Sequence, residues 1–132
     1  MKELQVRTSN RREMADITSL VQEAVSQAGW LTGAVLVYCP HTTGAITVNE
    51  GADPDVARDV TVNLSRLVPS SGDYRHAEGN SDAHIKASLV GPDQFVPVAE
   101  GRLRLGTWQR VFFCEFDGPR SRKIWVNWFP GE

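Results

Sequence analysis

The sequence predicts an α+β fold with largely antiparallel sheet, in a single domain spanning residues 1–132. Two observations carry this. Strand-like segments come in adjacent pairs instead of alternating singly with helices. Alternation along 111–116 is poor, with apolar residues on both faces, as in a strand buried on both sides, which points to sheet-on-sheet packing or a subunit interface. A chain of 132 residues fits one domain and can bury a core without disulfides or metals.

Leu4, Val6 and Thr8 alternate with polar residues and give a first strand. Ser9-Asn10 reads as a turn, with residues 11–15 returning as a second strand. Ile17, Leu20, Val21, Ala24, Val25 and Ala28 recur at helical spacing, with Asp16 as N-cap and Gly29 as the stop. Segments 33–39 and 45–49 are rich in β-branched residues and read as buried strands. Asp53-Pro54 opens a second helix, because Asp offers a capping oxygen and Pro needs no N–H at the first helical position. Its apolar stripe is Ala57, Val60, Leu64 and Leu67, and Pro69 ends it. After the polar loop 70–80, Ser81 caps a short helix over 82–89, which Gly91-Pro92 terminates. Strands at 94–98, 103–116 (long or bent) and 123–129 complete the order ββ-α-ββ-α-(short α)-βββ, with Gly118-Pro119 turning between the last two.

Hydrophobic content of 41% and charged content of 23% are ordinary for a globular protein. A net charge of −2 leaves no basic footprint and counts against nucleic acid as a partner. The longest apolar run, 34–39, is far short of the roughly 20 residues a membrane span needs. The first residues carry no apolar signal region, so a cytoplasmic protein without a membrane partner is expected. Cys39 and Cys114, both in strands, form no metal motif and read as buried reduced thiols.

All three histidines fall between positions 41 and 84, among small polar residues. His41-Thr42-Thr43-Gly44 is a short link that puts His41 at a strand end, as a site residue or an exposed turn residue. Glu50 follows an apolar strand and is needed by no turn; beside an imidazole it would act as acid or base, or orient the ring. Segment 73–84 gathers Tyr74, Arg75, His76, Glu78, Asn80, Asp82 and His84. Its spacing matches no zinc motif, so a metal there depends on the histidines meeting in the fold. A hydrogen-bonded structural role competes for His84. Gly106 interrupts a strand and suggests a bulge or a close approach, with Gln109 as a site amide and Trp108 in core or interface. Arg120, Arg122 and Lys123 make either a solvated edge or a phosphate clamp.

Taken together, His41-Thr42-Thr43-Gly44, Asn49-Glu50, Asp53-Pro54-Asp55-Val56, His76 with Asn80, residues 81–89, residues 105–109 and residues 115–120 resemble the YjbQ family, also called UPF0047 and labelled secondary thiamine-phosphate synthase. The resemblance covers essentially the whole chain. It implies a β-sandwich of about seven strands in two sheets with two main helices, assembled as a homotrimer. It also implies a weak activity that couples a pyrimidine pyrophosphate to a thiazole phosphate with release of pyrophosphate.

The expected site binds a phosphorylated small molecule near subunit boundaries. Glu50, Asp82 and His84 are the catalytic candidates, and Asn49, Asn80, Lys86, Gln109 and Arg120 the substrate-binding ones. His41, His76 and His84 would hold a divalent metal, zinc or magnesium, or shuttle protons. Two other readings stand beside this one: a non-catalytic trimer holding a phosphorylated metabolite or metal, and a trimeric scaffold for a protein partner.

Overall fold

The computed structural model describes residues 1–131. Its elements run β1 (Lys2–Arg7), β2 (Glu13–Asp16), α1 (Thr18–Ala28), β3 (Gly33–Tyr38), β4 (Gly44–Glu50), α2 (Pro54–Leu67), α3 (Ser81–Val90), β5 (Asp93–Ala99), β6 (Arg102–Leu103), β7 (Gln109–Glu115) and β8 (Ser121–Pro130). The strands form a five-stranded sheet, β1-β8-β3-β5-β6, and a three-stranded sheet, β2-β7-β4. Every pairing is antiparallel. The α+β sandwich expected from sequence is present, with eight strands among the described residues in place of seven.

The extra strand comes from residues 103–116, which do not form one long strand. Gln109 N–H donates to Gly106 O, and Gly106 N–H donates to the Gln109 side-chain Oε1 at 2.8 Å. These two bonds close a turn that separates β6 from β7. Trp108 rides on it, 63% exposed and outside the core. The short third helix is also longer than expected, at ten residues, with Asn80 rather than Ser81 at its N-cap.

The other helix ends follow local chemistry. Asp53 Oδ1 accepts from Asp55 N–H at 2.9 Å, with Pro54 in the first turn. Gly29 adopts the left-handed conformation that ends α1. Asp16 accepts from Thr18 N–H at 2.9 Å, one position ahead of the helix's N-cap, Ile17.

The main core lies between the sheets. Val6, Val35, Val37, Val96, Val98, Ile124 and Val126 come from the five-stranded sheet, and Ile46, Val111 and Phe113 from the three-stranded one. Ile17, Val21 and Val25 of α1 join them. A second core covers the other face of the small sheet, where Ala45, Cys114 and Phe116 meet Ala83, Leu64, Ala87 and Val90 of the α2–α3 layer. The double burial of β7 therefore arises within one chain: Val111 and Phe113 face the other sheet, and Cys114, with Phe116 just beyond the strand, faces the helices. The α2 stripe is only half-buried, and Leu67 is exposed. Both cysteines are buried and free. Among the described residues no helix is long and apolar enough to cross a membrane.

The outer face of the five-stranded sheet lacks such a cover. Tyr38 stacks on Trp125, and Phe95 meets Phe129 edge to face. Phe95 and Phe129 remain 60% and 46% exposed.

Phe113 is fully buried in the main core. Phe113→Ala is expected to cost about 3–5 kcal/mol through lost transfer energy and the cavity left behind. Urea unfolding followed by circular dichroism measures it; a loss under 1 kcal/mol would contradict this packing.

Candidate functional site

At one end of the inter-sheet space hydrocarbon gives way to charge. Glu115 on β7, Arg122 on β8 and Thr8 just past β1 are all buried there. Arg122 grips Glu115 with two N–H groups: Nε donates to Oε1 at 2.8 Å, and Nη2 donates to Oε2. Nη2 also donates to Thr43 Oγ1 at 2.9 Å. Thr8 Oγ1 donates to Glu115 Oε1 at 2.7 Å and accepts from Arg120 N–H at 2.9 Å. Asp117 N–H completes the set at Glu115 Oε2. Beneath them lies the Phe113 ring, with the Arg122 guanidinium carbon 6.0 Å from its centroid.

Burial alone would push the Glu115 carboxyl up. The bonds from Arg122, Thr8 and Asp117, with the Arg122 charge, outweigh it and hold the group below its ordinary 4.5. Two glycines allow the approach. A Cβ on Gly118 would lie 2.4 Å from Asn10 O and 2.7 Å from Glu115 Cγ; one on Gly44 would lie 2.6 Å from the Phe113 ring.

Above this plug opens a cleft of about 360 Å³. Its walls come from three separated segments: Pro40–Thr43 between β3 and β4, Glu78, Asn80 and His84 at the start of α3, and Asp117, Arg120 and Arg122 around the β7–β8 turn. Asp117 organises the rim. Its Oδ2 accepts from Asn80 Nδ2 and Arg120 Nη2, both at 2.9 Å, and its carbonyl accepts from Arg120 Nε at 2.7 Å. His41 Nε2 accepts from Lys123 N–H at 2.9 Å. That bond requires an unprotonated Nε2, so the neutral ring carries its proton on Nδ1. Burial, then the nearby Arg122 charge, lowers the His41 pKa.

Four of the expected site residues thus converge: His41, Asn80, His84 and Arg120. His76 borders an adjoining cavity of about 420 Å³, also lined by Tyr74, His84 and Ile85. Its ring meets His84 edge to face, with centroids 5.5 Å apart.

The other expected residues lie elsewhere in the chain. Asn49 and Glu50 sit at the far end of β4, where Glu50 pairs with Gln109 and Gly44 with Glu115. Six strand residues put these two ends roughly 20 Å apart. Glu50 Oε2 accepts from Ala52 and Asp53 N–H, closing the turn into α2. Asp82 and Lys86 point beneath α3, fully buried and 3.2 Å apart, with Arg12 at 3.4 Å from the same carboxylate oxygen and Ser65 Oγ at 3.3 Å from Lys86 Nζ. Burial would raise the Asp82 pKa, but Lys86 and Arg12 bring it below its usual value. Lys86 is itself lowered by burial. Among the described residues no three His, Cys, Asp or Glu are grouped to hold a metal ion.

A larger cavity, about 480 Å³, belongs to the Gln109 end, between α1 and the β6–β7 turn. Several of its polar groups are engaged in holding the fold. Arg110 pairs with Asp16 at 2.8 Å, and Gln22 bonds Gly101 O and Leu103 N–H. The smaller cleft is the candidate because two arginines, the Asn80 amide and two histidines converge on it from three separated segments. Sequence reasoning assigned no part to Glu115. The signal was a lone carboxylate inside Val111-Phe112-Phe113-Cys114-Glu115-Phe116, where a charge is buried only with a partner.

Comparison with known proteins places the chain among close relatives. The family described as UPF0047 protein YjbQ-like matches residues 2–131. The UPF0047 protein YugU of Bacillus subtilis is 50% identical over 128 residues, covering 96% of this chain and 97% of its own length. The UPF0047 protein MJ1081 of Methanocaldococcus jannaschii is 48% identical, covering 93% and 89%. A crystal structure of a YjbQ/UPF0047 protein from Clostridium acetobutylicum superposes with a TM-score of 0.95 at 53% identity, covering 98% of this chain and all of that one. The crystal structure of the hypothetical protein APE1520 from Aeropyrum pernix superposes with a TM-score of 0.93 at 36% identity, covering 98% of each chain.

Because the folded-state pKa of Glu115 is lowered, its contribution to stability is present above the unfolded value and is lost as pH falls through the folded one. Glu115→Gln should cost about 3 kcal/mol at pH 7, since it leaves Arg122 buried without its counter-charge. The variant should also lose less stability than the wild type between pH 7 and acid below 4.5. Urea titrations at both pH values test this, and equal losses in the two proteins would contradict it.

Proposed function

The chain belongs to the UPF0047 YjbQ-like family, and from that premise we propose that its cleft binds the phosphate of a small phosphorylated molecule and serves a low-activity transferase. The reaction is of the secondary thiamine-phosphate synthase type: a pyrimidine pyrophosphate loses pyrophosphate and couples to a thiazole phosphate.

One observation carries the reading. Arg120 from the β7–β8 turn and Arg122 from the start of β8 border the same cleft, each held by a carboxylate and each a planar donor suited to phosphate oxygens. Holding them in advance spares the ordering cost of binding. In a heterolytic departure the bonding electron pair leaves on a pyrophosphate oxygen. The group a protein must supply there is positive charge and N–H donors. Arg120, Arg122 and the Asn80 amide supply them, and the His41 and His84 rings flank the same space.

The residues present fit a metal poorly, because His41 Nε2 is taken up by Lys123 N–H and no ligand triplet is grouped within the described residues. Binding without turnover is the second reading. It is favoured by Glu50 and Asp82, both committed to other contacts within the chain.

Thiamine phosphate formation from the two phosphorylated precursors, measured alongside phosphate-ester binding by calorimetry, separates the readings. Arg120→Ala is expected to lower kcat/KM at least about tenfold, the size of one lost charge-assisted hydrogen bond. His84→Ala should lower turnover as well. Binding that persists with no turnover in the wild type selects the second reading. Unchanged kinetics in both variants would remove this cleft from consideration.

The homotrimer belongs to the same proposal, with the open aromatic face of the five-stranded sheet as its contact surface. Sedimentation equilibrium should give three times the chain mass. The double variant Phe95→Asp, Phe129→Asp should shift it toward monomer with the far-ultraviolet spectrum preserved. A wild-type monomer at micromolar concentration would contradict trimerisation.

A further inference from the structure

We infer that the cavity of about 480 Å³ between α1 and the β6–β7 turn is a second binding site, which takes a small organic acid: one carboxylate on an apolar body. Its size lies within the range of small-molecule sites, roughly 300–1,000 Å³. β7 begins beside it at Gln109 and ends beside the arginine cleft at Glu115. The two spaces are therefore roughly 20 Å apart along the sheet, and this inference does not depend on the phosphate reading.

The lining has its acceptors taken and its donors open. Gln109 Oε1 accepts from Gly106 N–H at 2.8 Å, and Gln22 Oε1 from Leu103 N–H at 2.9 Å. Thr18 Oγ1 is bonded to both the N–H and the carbonyl of Val111. Glu23 Oε1 accepts from Gln27 Nε2 at 3.2 Å. With its oxygen fixed in the turn, Gln109 has its NH2 group as the free end. Arg110 uses Nε on Asp16 Oδ2, and its two Nη groups have no partner among the described residues. The same holds for the Arg102 guanidinium and the Ser19 hydroxyl, both on exposed residues. These donors come from α1, β6 and β7 and border one space.

Open N–H and O–H groups without matching acceptors suit an anion. The charges already present set how much of one. Arg110 is offset by Asp16 at 2.8 Å, and Glu23 adds a negative charge to the wall. Arg102 has no carboxylate within ion-pair distance among the described residues. A singly charged carboxylate fits that balance better than a dianion, which would meet Asp16 and Glu23 with twice the repulsion. The apolar part of the lining is Leu103 and Leu105, both half-buried and packed against the main core. A hydrocarbon body lying on them leaves water, a gain that a bare ion lacks.

Nuclear magnetic resonance titration of the intact, nitrogen-15-labelled protein with hexanoate, acetate and 1-hexanol tests this. Hexanoate should shift the amide signals of residues 102–110 saturably while those of His41 and Arg120 stay in place. It should bind about tenfold or more tightly than acetate, as expected for burying part of its chain. 1-Hexanol, which keeps the chain and lacks the charge, should bind more weakly than hexanoate. Arg102→Gln, at an exposed position outside the core, should weaken hexanoate about fivefold, the upper size of an exposed ion pair, with the rest of the spectrum unchanged. Saturable shifts absent from 102–110, or present only around His41 and Arg120, would overturn the inference. So would 1-hexanol or acetate binding as tightly as hexanoate, or an Arg102→Gln variant with unchanged hexanoate affinity.

Discussion

The buried ion pair between Arg122 and Glu115 is the interaction on which the candidate site depends. Taking both charges out of water is expensive, and only excellent geometry with further hydrogen bonds repays it. The fold supplies that geometry from four places: β7, β8, Thr8 and the β3–β4 loop. Each partner is also a structural tie. Thr43 fixes the loop bearing His41, and the Thr8 hydroxyl receives the Arg120 amide, so the turn carrying the second arginine is fastened to the same plug. Close packing at Gly44 and Gly118 belongs to the same constraint, because a methyl group at either position would collide with Phe113 or with Glu115 and Asn10.

That arrangement sets the electrical character of the cleft. Each arginine is matched by a carboxylate, Glu115 for Arg122 and Asp117 for Arg120, and Glu78 adds another negative charge to the wall. An anion in the proposed site would therefore be held by a few N–H groups at short range more than by net positive charge. This favours recognition of shape over capture at a distance. The neutral His41 fits the same pattern: the Lys123 amide settles its tautomer and burial disfavours its charged form.

Much of the fold was legible because its signals are local. Alternation marked β1, helical spacing marked α1, and Asp53-Pro54 marked the start of α2. The turn at Gly106 was less visible, because it is closed by the Gln109 side chain and no sequence period records that bond. Of the site, His41, Asn80, His84 and Arg120 were identified by their polar company. What sequence could not resolve was direction. Asp82 and His84 are two positions apart on one helix, yet the first turns under it toward Lys86 and Arg12 and the second faces the cleft. Glu50 reads as a site carboxylate from its place after a strand, but β4 carries it away from His41 along the sheet. Family resemblance supplied the sandwich as a whole, a level of organisation that local periodicity does not reach.

The place of β8 has a consequence for how the molecule assembles. It is the last strand in chain order, yet it lies inside the five-stranded sheet, hydrogen-bonded to β1 on one side and β3 on the other. During synthesis β1 must wait for its neighbour until residues 121–126 have emerged. The same late strand brings Arg122, so the candidate cleft and the central sheet become complete together. A nascent or C-terminally clipped chain would expose two unpaired strand edges and have no arginine plug. That makes it a natural substrate for chaperones and proteases, and it ties possession of the site to completion of the fold.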